Sequence, residues 1–272
     1  MTDRLGNATA GFPRLEPGHV WLAGAGPGDP GLLTLRALSG LAEADVIVHD
    51  ALVGERVLAL ALQGAVLEFA GKRGGRPSPS RADITDLLIA LARAHHRVLR
   101  LRGGDPCVFG RGGEALMLAA TGIPFRIIPG VTSGLAALTV ALIPATLRGV
   151  NQALILITGH CWDGEDTVDW GAFVRTGQPI VLYMGLRNMG LRKLGGIAMS
   201  LMEGGADPHE PVAVIASATL VEERILISEL HRVAAETWEL GFEAPAIIAI
   251  GAIVPVREKL FDLAADIPEM VG

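Results

Sequence analysis

Two strand-to-loop junctions in this chain share one tripeptide. HVWLAGAGPGDPGLLT (residues 19–34) and RVLRLRGGDPCVFGRGG (residues 97–113) each carry an apolar, strand-like run into glycines and then into Gly-Asp-Pro. Glycine lets backbone approach a ligand closely, and proline stops the strand. Small molecules bind at the ends of parallel strands in α/β sheets, so the two junctions are where a site is expected.

Hydrophobic periodicity predicts strands over 20–25, 46–49, 65–69, 98–101 and 125–128, with helices over 33–44, 55–62, 84–94 and about 114–120 between them. That alternation is α/β order. PGVTSGLAALTVALIP (129–144) reads as a turn into a small-residue helix and places a domain crossover near it. Beyond it, strands are predicted over 153–158, 179–183, 211–215 and 246–251, with helices over 189–203 and 228–240. The 272 residues, half of them apolar, suit one large core or two ordinary ones built on buried parallel strands. The expected organisation is a flexible N-terminal tail (1–17), an N-terminal α/β domain (18–130), a C-terminal α/β domain (131–258) and a C-terminal tail (259–272). The two junctions do not extend into a sequence repeat.

Composition narrows the partners. Aromatic residues make up 4% of the chain, with one tyrosine, so the stacking platforms of single-stranded nucleic-acid binders are lacking. A net charge of −6 also argues against a nucleic-acid partner. Locally the balance reverses: Lys72, Arg73, Arg76, Arg81, Arg93, Arg97, Arg100, Arg102 and Arg111 face only Asp83, Asp86 and Asp105, a stretch that could bind an anionic small molecule. For Arg81, Arg93 and Arg97 a solvated helix face is the preferred reading. The N-terminus has no apolar core of a signal peptide, and the longest apolar stretch falls short of a membrane span, so a cytoplasmic protein is expected. Cys107 and Cys161 form no C-x-x-C pair, and the histidines show no ligand spacing apart from the adjacent His95 and His96, so no disulfide framework and no metal are expected.

GAGPGDP invites comparison with a dinucleotide fingerprint, and Asp50 ends the second strand where a ribose-binding acid would sit. The spacing fails. Gly24 and Gly26 match the first two glycines, but Asp29 holds the third position, and Pro27 and Pro30 occupy the turn where helix amides should meet a pyrophosphate. A nicotinamide-dependent oxidoreductase would also leave GGDPCVFGRGG without a role.

Taken in order, GAGPGDPGLLTLRA, DVIVHDALV, FAGKRGG, LRGGDPCVFGRGGE, IPFRIIPGVTSG, ITGH, VLYMGL and PAIIAIG resemble the uroporphyrinogen-III C-methyltransferases of the tetrapyrrole methylase superfamily, over about residues 18–256. The resemblance implies a two-domain α/β tetrapyrrole methylase fold with S-adenosylmethionine bound in the interdomain cleft. It implies methylation of two ring carbons of uroporphyrinogen III to give precorrin-2, and a homodimer. Carried over by motif, the cofactor contacts are Pro27, Gly103, Gly104, Asp105, Val108, Thr132 and Ser133 from the first domain, and Met184, Ala218 and Ala246 from the second. The catalytic positions are Asp50 as proton acceptor and Lys72 as proton donor, with Arg111 and Glu114 as helpers; Arg111 and Arg148 are the substrate-binding candidates. For Asp105 a turn cap and for Glu114 a first-turn helix acid are equally good readings. A related methylase acting on a later precorrin of the cobalamin route is the nearest alternative, and the KRGG and FGRGG segments argue against it; a weakly active or non-catalytic paralogue is a further one.

The chain departs from the family pattern at several points. Cys107 replaces an aromatic in GGDPFVFG, Ser133 replaces alanine, Leu147 stands where histidine precedes the arginine, and Ala252 stands where glutamate is usual. Arg148 therefore carries over less directly than Arg111.

Overall fold

A computed structural model describes residues 11–71, 81–110, 112–159, 168–186 and 190–265. The chain divides into two compact units, Met1–Ser133 and Gly134–Gly272.

The first unit is a five-stranded parallel sheet of β1 (Val20–Gly24), β2 (Val46–His49), β3 (Val66–Phe69), β4 (Val98–Arg102) and β5 (Phe125–Ile128), in the order β3-β2-β4-β1-β5. Helices α1 (Leu35–Glu43), α2 (Glu55–Leu58), α3 (Arg81–Arg93) and α4 (Gly113–Ala120) connect the strands. β1 is buried along its whole length, as a parallel strand covered on both faces must be. Its alternate side chains enter two different cores. Trp21 and Ala23 join Ile47, Leu99 and Leu101 against Ala37 and Leu41 of α1 and Val57 of α2. Val20 and Leu22 join Val46, Val48 and Val98 against Leu88 and Ala92 of α3 and Leu118 of α4. α1 starts where it does because the Thr34 hydroxyl accepts from the Ala37 amide at 3.2 Å.

The second unit contains α5 (Ser133–Val140) from its second residue onward, then β6 (Ile155–Thr158), α6 (Trp170–Arg175), β7 (Ile180–Tyr183), α7 (Gly190–Glu203), β8 (Pro211–Ala216), β9 (Arg224–Glu229), α8 (Val233–Glu239), β10 (Ala246–Ile250) and α9 (Val256–Ala265). Its sheet order is β6-β7-β10-β8-β9. Only β6 and β7 pair in parallel here; β10 runs antiparallel to β7 and β8, and β9 antiparallel to β8. The expectation of parallel strands thus holds for the first unit, where β1, β2 and β4 are the largely buried ones and β3 and β5 are partly exposed, and is corrected for the second.

Four further points differ from expectation. The segment predicted as a helix over 228–240 begins as the end of β9, and its helix starts only at Val233. Its apolar residues fit a helical spacing, but the edge of β8 pairs with residues 224–229 along six residues and overrides the local pattern. The short α6 was not anticipated; Asp169 caps it by accepting from the Ala172 amide at 2.9 Å. The C-terminal tail assigned to 259–272 is helical through Ala265, and Arg257 of that helix donates to the Ala141 carbonyl at 2.6 Å. At the other end, Leu15 is buried in the first core and its amide donates to Glu43, so the last residues of the expected N-terminal tail are fixed. Among the described residues, no helix is long and apolar enough to cross a membrane.

Candidate active site

Parallel pairing brings the C-terminal ends of β1, β2, β4 and β5 to one edge of the first sheet, and both Gly-Asp-Pro junctions lie there. The junctions pair with each other. Gly26 and Gly104 form an isolated antiparallel bridge, with each amide donating to the other's carbonyl at 3.2 and 2.7 Å. Both residues adopt positive φ, 69° and 72°. A Cβ on Gly24 would stand 2.5 Å from the Gly104 oxygen and 2.7 Å from the Gly130 Cα, and one on Gly130 would collide with the same oxygen. Three strand exits therefore meet backbone against backbone, an approach that only glycine permits.

The acids at these exits share one local geometry. Asp29, Asp50 and Asp105 each accept from the amide two residues on, from Gly31, Leu52 and Cys107, at 2.8, 3.0 and 2.7 Å. These are Asx turns, which end a strand without leaving its last donors bare. Beyond that they differ. Asp105 uses its second oxygen as well, accepting from the Gly130 amide at 2.9 Å and thereby fastening the β4 exit to the β5 exit. Asp50, among the described residues, accepts through Oδ1 alone.

Beneath the loop lies a buried charge cluster. Arg100 and Arg102, two apart on β4, project to one face of the sheet, the face α4 covers. Glu114, in the first turn of α4, receives both: Arg100 Nε lies 3.5 Å from Oε1 and Arg102 Nη1 3.5 Å from Oε2, with the Arg100 and Glu114 side chains 3% and 8% exposed. Arg100 also donates to the Val48 carbonyl at 3.2 Å. Burial lowers the Arg100 pKa, while the charges of Glu114 and Asp50 act in the opposite sense. The Glu114 carboxylate thus faces both guanidinium groups in a low-dielectric setting, where leaving a buried charge unmatched would cost about 3–5 kcal/mol.

In the second unit the matching edge gathers the ends of β6, β7 and β8 with the start of the antiparallel β10; Tyr183 pairs with Ile247 and Ala216 with Ala246. Met184, Ser217 and Thr219, just past two of these ends, all have positive φ (58°, 50° and 70°). Non-glycine residues in that region carry about 1–3 kcal/mol of strain each and cluster where a ligand is held. The backbone there is tied down: Ser217 donates to the Pro245 carbonyl at 2.9 Å and the Thr219 amide to Glu223 at 2.7 Å. The chain's one tyrosine, Tyr183, accepts at its hydroxyl from the Gly134 amide at 3.1 Å, where a Cβ on residue 134 would collide with it.

The sequence-derived residues fall into two groups, one on each sheet edge. Pro27, Gly103, Gly104, Asp105, Val108, Thr132 and Ser133 follow the ends of β1, β4 and β5. Met184, Ala218 and Ala246 share the edge of the second sheet. Lys72 and Arg111 lie outside the described residues. Arg148 is exposed, in a loop organised by buried Asn151, whose side chain bonds Leu147, Ala145 and Ala153, each at 2.9 Å. The basic stretch is less available than its charge count suggests. Arg100 is internal, and Arg97 pairs with Asp45 at 2.6 Å, an acid outside that stretch.

Sequence reasoning singled out neither the Arg100–Glu114–Arg102 cluster nor Asn151. The two-residue spacing in R-L-R was the available signal for the first; nothing local marks the second. Leu52, 58% exposed beside Gly103, and Phe109, 39% exposed, are apolar groups on the same edge that were also missed.

Comparison with known proteins follows this geometry. Residues 19–234 match the family model described as Tetrapyrrole (Corrin/Porphyrin) Methylases. A uroporphyrinogen-III C-methyltransferase from Sinorhizobium sp is 51% identical over 254 residues, covering 92% of this chain and 89% of that protein. A siroheme synthase from Methylobacillus flagellatus is 40% identical over 97% of this chain, which spans only 55% of that longer protein. The crystal structure of uroporphyrin-III C-methyl transferase from Thermus thermophilus, complexed with S-adenyl homocysteine, superposes with a TM-score of 0.74 at 39% identity, covering 88% of this chain and 99% of that one.

Proposed function

The chain belongs to the tetrapyrrole methylases, and on that premise we propose that it transfers methyl groups from S-adenosylmethionine to two ring carbons, C2 and C7, of uroporphyrinogen III, yielding precorrin-2 and S-adenosylhomocysteine. The observation that carries this reading is the 51% identity to a uroporphyrinogen-III C-methyltransferase over 92% of the chain. The likeness to a structure solved with S-adenyl homocysteine supports the cofactor.

The residues present suit that cofactor. The close packing of the glycine exits in the first unit and the positive φ of residues 184, 217 and 219 in the second support a ligand held at the strand ends. In each unit the proposed contacts are those carried over by the family motifs: Pro27, the 103–105 loop, Val108, Thr132 and Ser133 in the first, and Met184, Ala218 and Ala246 in the second. The cofactor supplies an electrophilic methyl on a sulfonium, so the protein's work is mainly to hold the groups in line.

Forming the new carbon–carbon bond breaks the sulfur–methyl bond, leaves its electron pair on sulfur and makes the pyrrole ring cationic. The ring then loses a proton. We assign Asp50 as its acceptor, with Oδ1 fixed by the Leu52 amide and Oδ2 toward the proton. Lys72 is assigned as proton donor, and Arg111 and Arg148 as holders of the substrate's carboxylates. Glu114 is buried with its oxygens facing two guanidinium groups, so it is a positioning residue that fixes β4 beneath the 103–105 loop. A homodimer without membrane attachment is the assembly the family resemblance implies.

The decisive test is anaerobic incubation with uroporphyrinogen III and S-adenosylmethionine, followed by mass analysis. Two added methyls support the proposal. No added methyl with S-adenosylhomocysteine binding retained would overturn it in favour of a methylase of another tetrapyrrole or a non-catalytic paralogue. Binding of NAD(P) in place of S-adenosylhomocysteine would remove the methyltransferase reading altogether.

A further inference from the structure

At the opposite end of the second sheet from the strained edge, β8 begins and β9 ends, and three ligating side chains converge there. His209 lies two residues before β8, Glu229 closes β9 in register with Pro211, and His231 follows two residues later. One potential ligand atom from each lies within 4.8 Å of the others. His209 Nδ1 stands 3.0 Å from Glu229 Oε2, and the two imidazole rings meet edge to face with centroids 5.0 Å apart. We propose that His209, Glu229 and His231 form a binding site for a first-row transition cation, with zinc as the best match, distinct from the active site.

The chemistry of the set favours zinc over magnesium or calcium. Two imidazoles and one carboxylate are borderline ligands, whereas the harder cations require mostly oxygen. Tetrahedral zinc with bonds of about 2.0–2.1 Å sets ligand atoms roughly 3.3 Å apart. The 3.0 Å His209–Glu229 contact is already near that value. All three side chains are partly or fully exposed, so the remaining closure needs only rotamer adjustment. His231 is held at the edge of the site, with Nδ1 2.9 Å from the Pro208 carbonyl and 3.6 Å from Glu229 Oε2.

Neighbouring charges modulate the site without occupying it. Arg232 Nε is 3.8 Å from Glu229 but 3.3 Å from Glu236, so it retains a carboxylate partner when Glu229 takes a cation. Asp207, whose side chain accepts from the His209 amide at 2.9 Å, adds a further negative charge close by. Along β8 the site is five residues from Ala216, roughly 17 Å by strand geometry, so a bound cation would not touch the Ala216–Ala218 segment. Its direct effect would be to fasten the start of β8 to the end of β9.

The test uses the untagged full-length protein, freed of metal by chelation, with Zn2+ for calorimetry and thermal melts and Co2+ for visible spectroscopy. Wild type is expected to bind one equivalent, to show the intense visible bands of tetrahedral Co2+ and to melt at higher temperature with Zn2+. His209→Gln and His231→Gln should each weaken binding more than tenfold, and the double variant should lose the Co2+ bands and the melting shift. These two side chains are exposed, and an unchanged circular dichroism spectrum confirms folding. The proposal is overturned if the double variant binds either cation as wild type does, or if wild type binds neither at millimolar concentration.

Discussion

Gly26 and Gly104 exchange hydrogen bonds across the mouth of the first sheet, the Gly26 amide to the Gly104 carbonyl and the Gly104 amide to the Gly26 carbonyl. The two Gly-Asp-Pro junctions are therefore one structural object. Gly24 lies directly beneath, with no space for a methyl group between it, Gly104 and Gly130.

Gly24→Ala is expected to destabilise the chain by about 1–3 kcal/mol, because the neighbours are backbone and cannot rotate away. It should also weaken S-adenosylhomocysteine binding at least tenfold by opening the junction. Urea unfolding and calorimetry read the two effects separately. A variant with wild-type stability and affinity would show that the close approach is not needed.

Asp50 and Asp105 should separate under the same conservative change. Asp50→Asn retains an oxygen for the Leu52 amide, so stability should hold while methyl transfer falls by 10²-fold or more, as expected for loss of a general base. Asp105→Asn can keep only one of its two accepted bonds, so stability should fall by about 1–3 kcal/mol. Single-turnover assays and urea midpoints on both variants check the contrast; equal effects on both quantities would contradict it.

Glu114→Gln removes the one carboxylate facing two buried guanidinium groups, and the expected cost is about 3–5 kcal/mol. Adding Arg100→Met should recover part of that loss, since the uncompensated charge goes with the arginine. The diagnostic is a double-mutant cycle in urea. Strict additivity would show that Arg100 and Glu114 do not act on each other.

Asp45 and Arg97 bridge the starts of β2 and β4 on the surface, and the hydrogen bond from Arg97 holds the Asp45 carboxyl below its ordinary pKa. The sign follows from the depressed value. The contribution is present above the unfolded carboxyl's pKa of about 3.9 and disappears as pH falls through the lower folded value. Asp45→Asn should cost less than about 1 kcal/mol near pH 7, because the pair is solvent-screened. Urea titrations should find a smaller gap between wild type and variant at pH 3 than at pH 7; a gap that widened would reverse the assignment.

Much of the first unit was legible because its strands are short apolar runs, three of them, β1, β2 and β4, largely buried. The boundaries 46–49 and 125–128 coincide with β2 and β5, and Thr34 and the two Asp-Pro pairs punctuate the chain by local hydrogen bonding. The second unit was less so. Residues 224–229 pair with β8 along six residues, and the predicted helix took in the last two of them, Ser228 and Glu229, although Ile225 and Ile227 carry the β-branched alternation of a strand.

The amino-acid order alone therefore determined the alternating architecture, the glycine-lined exits and the family motifs, all of which depend on interactions within a few residues. Tertiary structure decided everything that depends on distant partners. It turned Asp105 into a fastening between two strands, enclosed Arg100 with Glu114, aligned Met184 with Ala218 and Ala246 through antiparallel pairing, and brought His209 beside Glu229 and His231. The physical reason is that charge balance, burial and ligand convergence are set by distances through space, and sheet register fixes those distances independently of separation along the chain.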